Sequence, residues 1–208
     1  MRIIAGDLGG RRLRTVVGEG YRPAMGRTRE SLFSMLEARG VEWEGLRALD
    51  LFAGSGSLGF EAVSRGAALA VMVDVSKPAT DCIARNVEAL GVGDRVRVVR
   101  ESVAEHLARP PERPFELVFV DPPYGKNFVV PTLQALLRLP WLAPDAIVTA
   151  EIERDAPWES GGLRLLADRR FGRTRICLWR FAGKSPASDT PPRMVGGDVG
   201  PDGEPATA

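Results

Sequence analysis

The chain has 208 residues, of which 44% are hydrophobic and 26% charged, and a formal net charge of +1, a profile typical of a soluble globular protein. No stretch approaches the roughly 20 consecutive apolar residues of a membrane span, and a single histidine argues against His-based zinc sites and serine or cysteine triads, so we expect no membrane and no metal. Two cysteines cannot form a disulfide framework, which favours a reducing, cytoplasmic location.

The first predicted elements form a basic N-terminal region, residues 1–44. Arg2–Gly6 and Arg11–Thr15 flank a glycine-containing turn and predict a small β-hairpin, and Thr28–Arg39 has helical periodicity. Residues 1–30 carry seven arginines against three acidic residues, which favours an anionic partner such as nucleic acid. Arginines that are merely solvated are the alternative. The candidate phosphate contacts are Arg2, Arg11, Arg12, Arg22 and Arg27.

Residues 45–182 are predicted to form the second domain. Within it, residues 45–153 alternate between short apolar runs and segments with helical periodicity, a pattern typical of βαβ units and a parallel sheet. Leu163–Ala167 and Ile176–Phe181, separated by the basic stretch 168–175, predict a closing antiparallel pair. Residues 183–208 are rich in proline and glycine, contain no aromatic residue, and predict a flexible tail. We therefore expect an α/β fold. The apolar runs cover residues 46–52, 69–74, 95–100, 115–120 and 145–151.

A glycine-rich turn follows the first predicted strand, where Gly54, Gly56 and Gly59 form a GxGxxG pattern. Asp74 ends the next strand 20 residues after Gly54, the spacing at which a carboxylate meets a ribose hydroxyl. A nicotinamide dinucleotide and S-adenosylmethionine both fit this pattern. Asp50, four residues before Gly54, would attract the ammonium group of S-adenosylmethionine and repel a pyrophosphate, so it favours the former.

Polar residues elsewhere near this turn complete the candidate cofactor site. Ser102 follows the third predicted strand and is a candidate contact for the adenine amino group. The alternatives are structural: a ligand-free glycine turn, and helix N-cap roles for Asp74 and Ser102. The candidate cofactor-binding residues are Asp50, Phe52, Ala53, Gly54, Ser55, Gly56, Asp74 and Ser102.

The strongest chemical signal is the tetrapeptide Asp121-Pro122-Pro123-Tyr124, directly after the fourth predicted strand. Ligands of open α/β sheets bind at the carboxyl ends of strands, so we expect it beside the glycine turn. The Asp121 carboxylate and the rigidly held Pro122 carbonyl can fix the two hydrogens of an exocyclic amine and direct its lone pair at a sulfonium methyl group. Tyr124 offers a face on which a target base can stack. A rigid turn without chemistry is the alternative.

With these motifs the chain resembles the RsmD-type methyltransferases, which modify guanine N2 of 16S ribosomal RNA. The resemblance spans roughly residues 1–181 and implies a class I, Rossmann-like S-adenosylmethionine methyltransferase sheet, an N-terminal hairpin that contacts RNA, and catalysis at Asp121. The chain departs from the family pattern at Ala24–Gly26, where two hydroxyls and a carboxylate are usual. The resemblance rests on residues 2–6, 10–13, 22–23, 27–33, 50–59, 61–62, 64–66 and 121–124.

The leading hypothesis is therefore methylation of a guanine amino group in 16S ribosomal RNA, within an assembling small subunit. The base must be unstacked or already exposed, because a buried amino edge cannot reach the cofactor. Three alternatives stay open. They are a DNA adenine-N6 or cytosine-N4 methyltransferase with the same tetrapeptide, a nicotinamide-dependent oxidoreductase, and a non-catalytic RNA-binding module.

Overall fold

The computed structural model describes residues 1–16, 26–123, 125–153, 162–172 and 174–183. The predicted contacts of Arg22 and Tyr124, the departures at Ala24 and Met25, and nearly all of the predicted tail lie outside these ranges. No helix within them combines the length and hydropathy needed to cross a bilayer. The helices in the described ranges are α1 (Gly26–Glu37), α2 (Ser57–Arg65), α3 (Lys77–Leu90), α4 (Val103–Leu107) and α5 (Val129–Arg138).

In the described ranges the strands form one mixed sheet of seven in the order β3-β2-β1-β4-β5-β7-β6. The first five are parallel, and β7 runs antiparallel to both β5 and β6. The strand order reverses between β1 and β4, the point at which doubly wound sheets bind ligands. The predicted α/β class with a C-terminal antiparallel hairpin is confirmed. The strands are β1 (Arg47–Leu51), β2 (Leu69–Val73), β3 (Val96–Val99), β4 (Phe115–Val120), β5 (Leu142–Glu153), β6 (Leu163–Phe171) and β7 (Thr174–Phe181).

The β6–β7 hairpin corrects one sequence prediction. The basic stretch 168–175 does not separate the strands; it lies almost entirely within them. Asp168 and Arg175 form an ion pair across the hairpin, with Arg175 Nε donating to the carboxylate at 2.9 Å. β6 is the edge of the sheet, and edge strands tolerate and benefit from charged residues, because these discourage pairing with other chains. Charge was therefore a poor indicator of a loop here.

Helices cover both faces of the sheet. In β1, Ala48 belongs to an apolar core shared with α1, α2 and α3, whereas Leu49 and Leu51 belong to a second core shared with α4 and α5. Successive strand residues point to opposite faces, and burial on both faces is what a parallel strand between two helical layers requires. The sheet therefore holds its carboxyl-end loops on a rigid base.

The N-terminal segment packs on α2. The predicted hairpin is present as a single antiparallel bridge between Arg2 and Arg12. The fully buried carboxylate of Glu61 accepts hydrogen bonds from the backbone nitrogens of Ile4 and Ala5, at 2.8 and 3.0 Å. A Cβ on Gly6 would lie 1.8 Å from the Ser64 carbonyl oxygen, so this close approach requires glycine. These contacts hold residues 1–16 against the side of the sheet that packs on α1, α2 and α3.

Candidate active site

A cavity of about 850 Å³ opens at the carboxyl ends of β1 to β4. It brings together loops that the sequence analysis singled out separately, one after each of these strands. Asp50 and Gly56 are the candidate cofactor residues that do not line it. Residues from the candidate sites that line it are Phe52, Ala53, Gly54, Ser55, Asp74, Ser102, Asp121, Pro122 and Pro123.

Asp74 connects the loop after β1 to the loop after β2 by hydrogen bonds. Its Oδ2 accepts a hydrogen bond from Gly54 N at 2.8 Å, and its Oδ1 accepts one from Ser76 N at 2.8 Å. The N-cap of α3 is Ser76, whose hydroxyl accepts from Ala79 N, so the N-cap alternative for Asp74 is wrong. Each carboxylate oxygen has a second lone pair, and Asp74 lines the cavity, so it can accept further hydrogen bonds from a ligand there.

Two of the three motif glycines serve packing. A Cβ on Gly56 would lie 2.8 Å from both Met72 Sδ and a ring carbon of Phe60, and Gly56 has φ +77°. A Cβ on Gly59 would lie 2.5 Å from Met72 Cε. Both glycines therefore let α2 approach β2 closely, and of the three only Gly54 lines the cavity.

Asp50 lies behind the glycine turn, inside β1, and is 1% exposed. Its Oδ2 accepts from Gly59 N at 2.9 Å, in the first turn of α2, whose N-cap Gly56 has no side chain to do so. A carboxylate there caps the helix and interacts favourably with the macrodipole. Burial raises the pKa of Asp50 well above its ordinary value, with smaller contributions from Asp121 and Asp74. Its expected contact with an ammonium group is not visible in this placement and stays a prediction.

Ser102 is the N-cap of α4, as the structural alternative anticipated. Its hydroxyl accepts from Glu105 N at 3.2 Å, and the Glu105 carboxylate accepts from Ser102 N at 3.0 Å, which completes a capping box. Ser102 also lines the cavity. A contact with adenine through this residue therefore stays a prediction, and it would compete with the cap.

Asp121 stands at the end of β4, where it lines the cavity together with Pro122 and Pro123. Burial, followed by the nearby carboxylate of Glu151, raises the pKa of Asp121 from 3.8 to about 7. The group is therefore close to half-protonated at neutral pH. A carboxylate with this proton affinity, at the rim of a cofactor-sized cavity, can both orient an amine and accept a proton from it.

Sequence reasoning missed several cavity residues. Val75 and Phe128 are 69% and 42% exposed at the cavity, unusual for large apolar side chains. The Phe128 ring stacks on Phe52 with centroids 5.6 Å apart, and Phe52 itself has φ +63°. An apolar residue directly after Asp74 could have pointed to Val75. Phe128 lies in no recognisable motif, and only the fold brings it to Phe52.

The candidate phosphate contacts lie on the N-terminal segment and the start of α1. Arg2, Arg11, Arg12 and Arg27 are all exposed. Arg2 donates to Gly10 O at 2.6 Å and Arg11 to Ala89 O at 2.9 Å, so these two are partly engaged within the chain. Met1 lines the cavity, so the basic segment reaches the cavity's mouth. Across the ranges that the structure covers, no group of three His, Cys, Asp or Glu residues is placed to hold a metal ion.

Comparisons with known proteins agree with this architecture. A family model described as Conserved hypothetical protein 95 matches residues 1–180. Ribosomal RNA small subunit methyltransferase D of Escherichia coli K12 is 37% identical over 182 residues, 86% of this chain and 89% of that protein. Its namesake in Haemophilus influenzae is 36% identical over 159 residues, 76% of this chain and 81% of that protein. The solved structure of yhhF from Escherichia coli has a TM-score of 0.79 at 32% identity and covers 88% of this chain and 99% of that one.

Proposed function

Since the chain belongs to the RsmD-type family of ribosomal RNA methyltransferases, which the Conserved hypothetical protein 95 model describes, we propose that it transfers a methyl group from S-adenosylmethionine to the exocyclic N2 amine of a guanine in 16S ribosomal RNA. One observation carries the proposal. The Asp121-Pro122-Pro123 turn and the Gly54–Asp74 pair, each predicted separately, line the same cavity.

The cavity residues fit the cofactor. S-adenosylmethionine supplies a methyl group on a positively charged sulfonium. Asp74 can accept hydrogen bonds from ribose hydroxyls with the lone pairs that Gly54 and Ser76 leave free. The exposed side chain of Val75 and the buried Val103 offer apolar contacts to a flat ring such as adenine.

Asp121 and Pro122 orient the target amine. A conjugated amine is a poor nucleophile until acceptors fix its hydrogens and its lone pair is directed out of the ring plane. The Asp121 carboxylate and the Pro122 carbonyl are two acceptors at one rigid turn, since proline restricts its own φ and the preceding residue's conformation. Holding the amine in a near-attack geometry is expected to supply most of the rate enhancement.

RNA is the substrate in this proposal because the exposed arginines lie on the segment that reaches the cavity. Arg12 and Arg27 are the strongest candidates, because Arg2 and Arg11 are partly engaged within the chain. Arg22 is a further candidate from the sequence alone. Phosphate contacts position a nucleic acid without reading its sequence, so selectivity would come from the surface of an assembling small subunit. A cytoplasmic location belongs to the same proposal and agrees with two buried free cysteines, Cys82 and Cys177.

The test is methyl transfer from radiolabelled S-adenosylmethionine to small subunits that lack the modification, followed by nucleoside analysis. We expect N2-methylguanosine with the wild type and none with Asp121→Asn. Asp94→Asn, which changes an exposed carboxylate before β3, is the matched control and keeps full activity. Label in duplex DNA but not in ribosomal particles would replace the proposal with a DNA methyltransferase, and full activity of Asp121→Asn would overturn the mechanism.

A further inference from the structure

A second, small cavity adjoins Asp121 between α1 and β5. Its volume is about 20 Å³, comparable to the space that a single water molecule needs. Asp121 lines both this second cavity and the cofactor-sized one. The second cavity's polar lining residues are Thr28, Arg29, Asp121, Thr149 and Glu151.

The register of the sheet explains why Glu151 adjoins Asp121. In the parallel pair of β4 and β5, Phe119 is opposite Thr149 and Val120 is opposite Ala150. One residue further along, Asp121 reaches the level of Glu151. Side chains alternate along a strand, so Asp121 and Glu151 share the sheet face of Phe119 and Thr149, towards α1. Two carboxyl groups from neighbouring strands thus line one cavity.

Among the described residues that line the second cavity, Arg29 of α1 is the charged group beside this pair. It is 3% exposed, and its Nε has no hydrogen-bond partner in the part of the chain that the structure describes. Its other nitrogens donate to Met1 Sδ and Arg2 O. Of the other elements lining the second cavity, α2 contributes Leu58 and β7 contributes Ile176, both apolar.

Two further carboxylates stand one element away. Asp50 faces α2 from β1 and interacts with Asp121, and Glu61 of α2 interacts with Arg29. Glu151 is the charged neighbour that, after burial, acts on Asp121 to raise its pKa.

We propose that Glu151 is a positioning residue for Asp121: Asp121 contacts the substrate amine, and the Glu151 carboxylate on the neighbouring strand sets how readily Asp121 takes the amine's proton. This inference rests on the proposed function. As the new N–C bond forms, the C–S bond of the donor breaks and its electron pair stays on sulfur. Asp121 then accepts the proton that the methylated nitrogen releases, so atoms and charges balance without a further reactant.

The first experiment is the pH dependence of methyl transfer by Glu151→Gln, measured from pH 5 to 9. Wild type should lose activity as the pH falls through about 7, because protonated Asp121 cannot accept a proton. Removing the negative charge of Glu151 should shift the midpoint of this activity loss about one pH unit lower. Glu151→Asp keeps the charge and should leave the midpoint where it is in wild type. Glu112→Gln, an exposed surface change, should leave the profile unaltered.

A second readout separates this inference from the proposed function. In protein labelled with ¹³C at aspartate carboxyls, the Asp121 signal, assigned by its loss in Asp121→Asn, is titrated without substrate. It should titrate lower in Glu151→Gln, or in Glu151→Ala if the glutamine variant does not fold. An unchanged titration overturns the inference even if wild type methylates ribosomal RNA. A shifted titration in a protein inactive on every ribosomal substrate supports the carboxyl pair and overturns the proposed function.

Discussion

Three aspartates at the ends of neighbouring strands have different surroundings, and these decide their roles. Asp50 accepts from a helix N–H and Asp74 from two loop N–H groups. Within the described ranges, no hydrogen bond reaches the Asp121 carboxylate, and its neighbour Glu151 is also acidic. Asp121 is therefore the carboxylate with acceptor capacity and proton affinity left for a substrate.

The raised pKa of Asp121 makes stability depend on pH. The unfolded chain ionises this group near 3.8, whereas the folded protein keeps it protonated until about 7, so its contribution is complete below pH 4 and is lost as pH rises to 7. Because asparagine does not titrate, we expect Asp121→Asn to remove this loss. The difference in free energy of unfolding between the variant and wild type should therefore increase, in favour of the variant, by up to about 4 kcal/mol from pH 4 to pH 8. Urea unfolding at both pH values measures it. Asp94→Asn should retain the wild-type pH dependence.

Asp50 gives a prediction that distinguishes a capping role from a charge role. Asp50→Asn keeps an oxygen for Gly59 N–H and is neutral, like the protonated carboxyl that burial favours, so we expect little loss of stability. Asp50→Ala leaves that N–H without its acceptor and should cost about 1–3 kcal/mol in the free energy of unfolding. Thermal or urea denaturation compares the two. Equal destabilisation by both variants would contradict the capping role.

At the scale of elements, the start of α2 depends on close contact with β2. The two glycines there face Met72, and neither has room for a Cβ. The same helix carries Glu61 and Ser64, whose side chains accept hydrogen bonds from backbone N–H groups of the N-terminal segment. α2 therefore connects the glycine turn to the N-terminal segment, which carries proposed RNA contacts.

Gly59→Ala tests the close contact of α2 with β2. The new methyl group would lie 2.5 Å from Met72 Cε, and overpacking of this kind costs about 1–3 kcal/mol in the free energy of unfolding. Gly93→Ala is the matched control, because the nearest atom to its added Cβ is 3.9 Å away. Met72→Ala should rescue part of the loss in the double variant. A Gly59→Ala protein as stable as wild type would contradict the packing role.

At the scale of the whole molecule, Arg12 and Arg27 lie on elements that also reach the site. Arg12 belongs to the N-terminal segment, whose Met1 lines the cofactor-sized cavity, and Arg27 lies in the first turn of α1, which lines the second cavity together with Asp121. Arg113 precedes β4 and is exposed at the opposite, amino edge of the parallel strands. This asymmetry supports one face for RNA.

The salt dependence of RNA binding tests whether this face contacts the RNA. Arg12→Ala and Arg27→Ala should each weaken RNA binding and lower the slope of log affinity against log salt by about one. Fluorescence anisotropy with a 16S RNA fragment, over a series of salt concentrations, measures it. Arg113→Ala is the matched control with the same charge change. An equal effect of all three variants would show that net charge, and not this face, decides binding.

Chain-local patterns accounted for most of the fold and part of the site. Apolar runs predicted the parallel strands, although β5 begins three residues before its apolar run, at Leu142. The Asp121-Pro122-Pro123 turn and the Gly54 turn were predicted from neighbours in sequence, since proline and glycine act on the local backbone. The charged residues of β6 misled the prediction, because only the sheet reveals which strand is an edge.

By itself the sequence determined the alternation of strands and helices, the glycine turn and the proline turn, all of which depend on interactions within a few residues. Only the tertiary structure decided that Asp74 faces the cavity and Asp50 caps α2, and that Glu151 adjoins Asp121 from 30 residues away. The reason is that strand register is set by packing of the whole sheet, and a single-residue slip would turn each of these carboxyls to the other face.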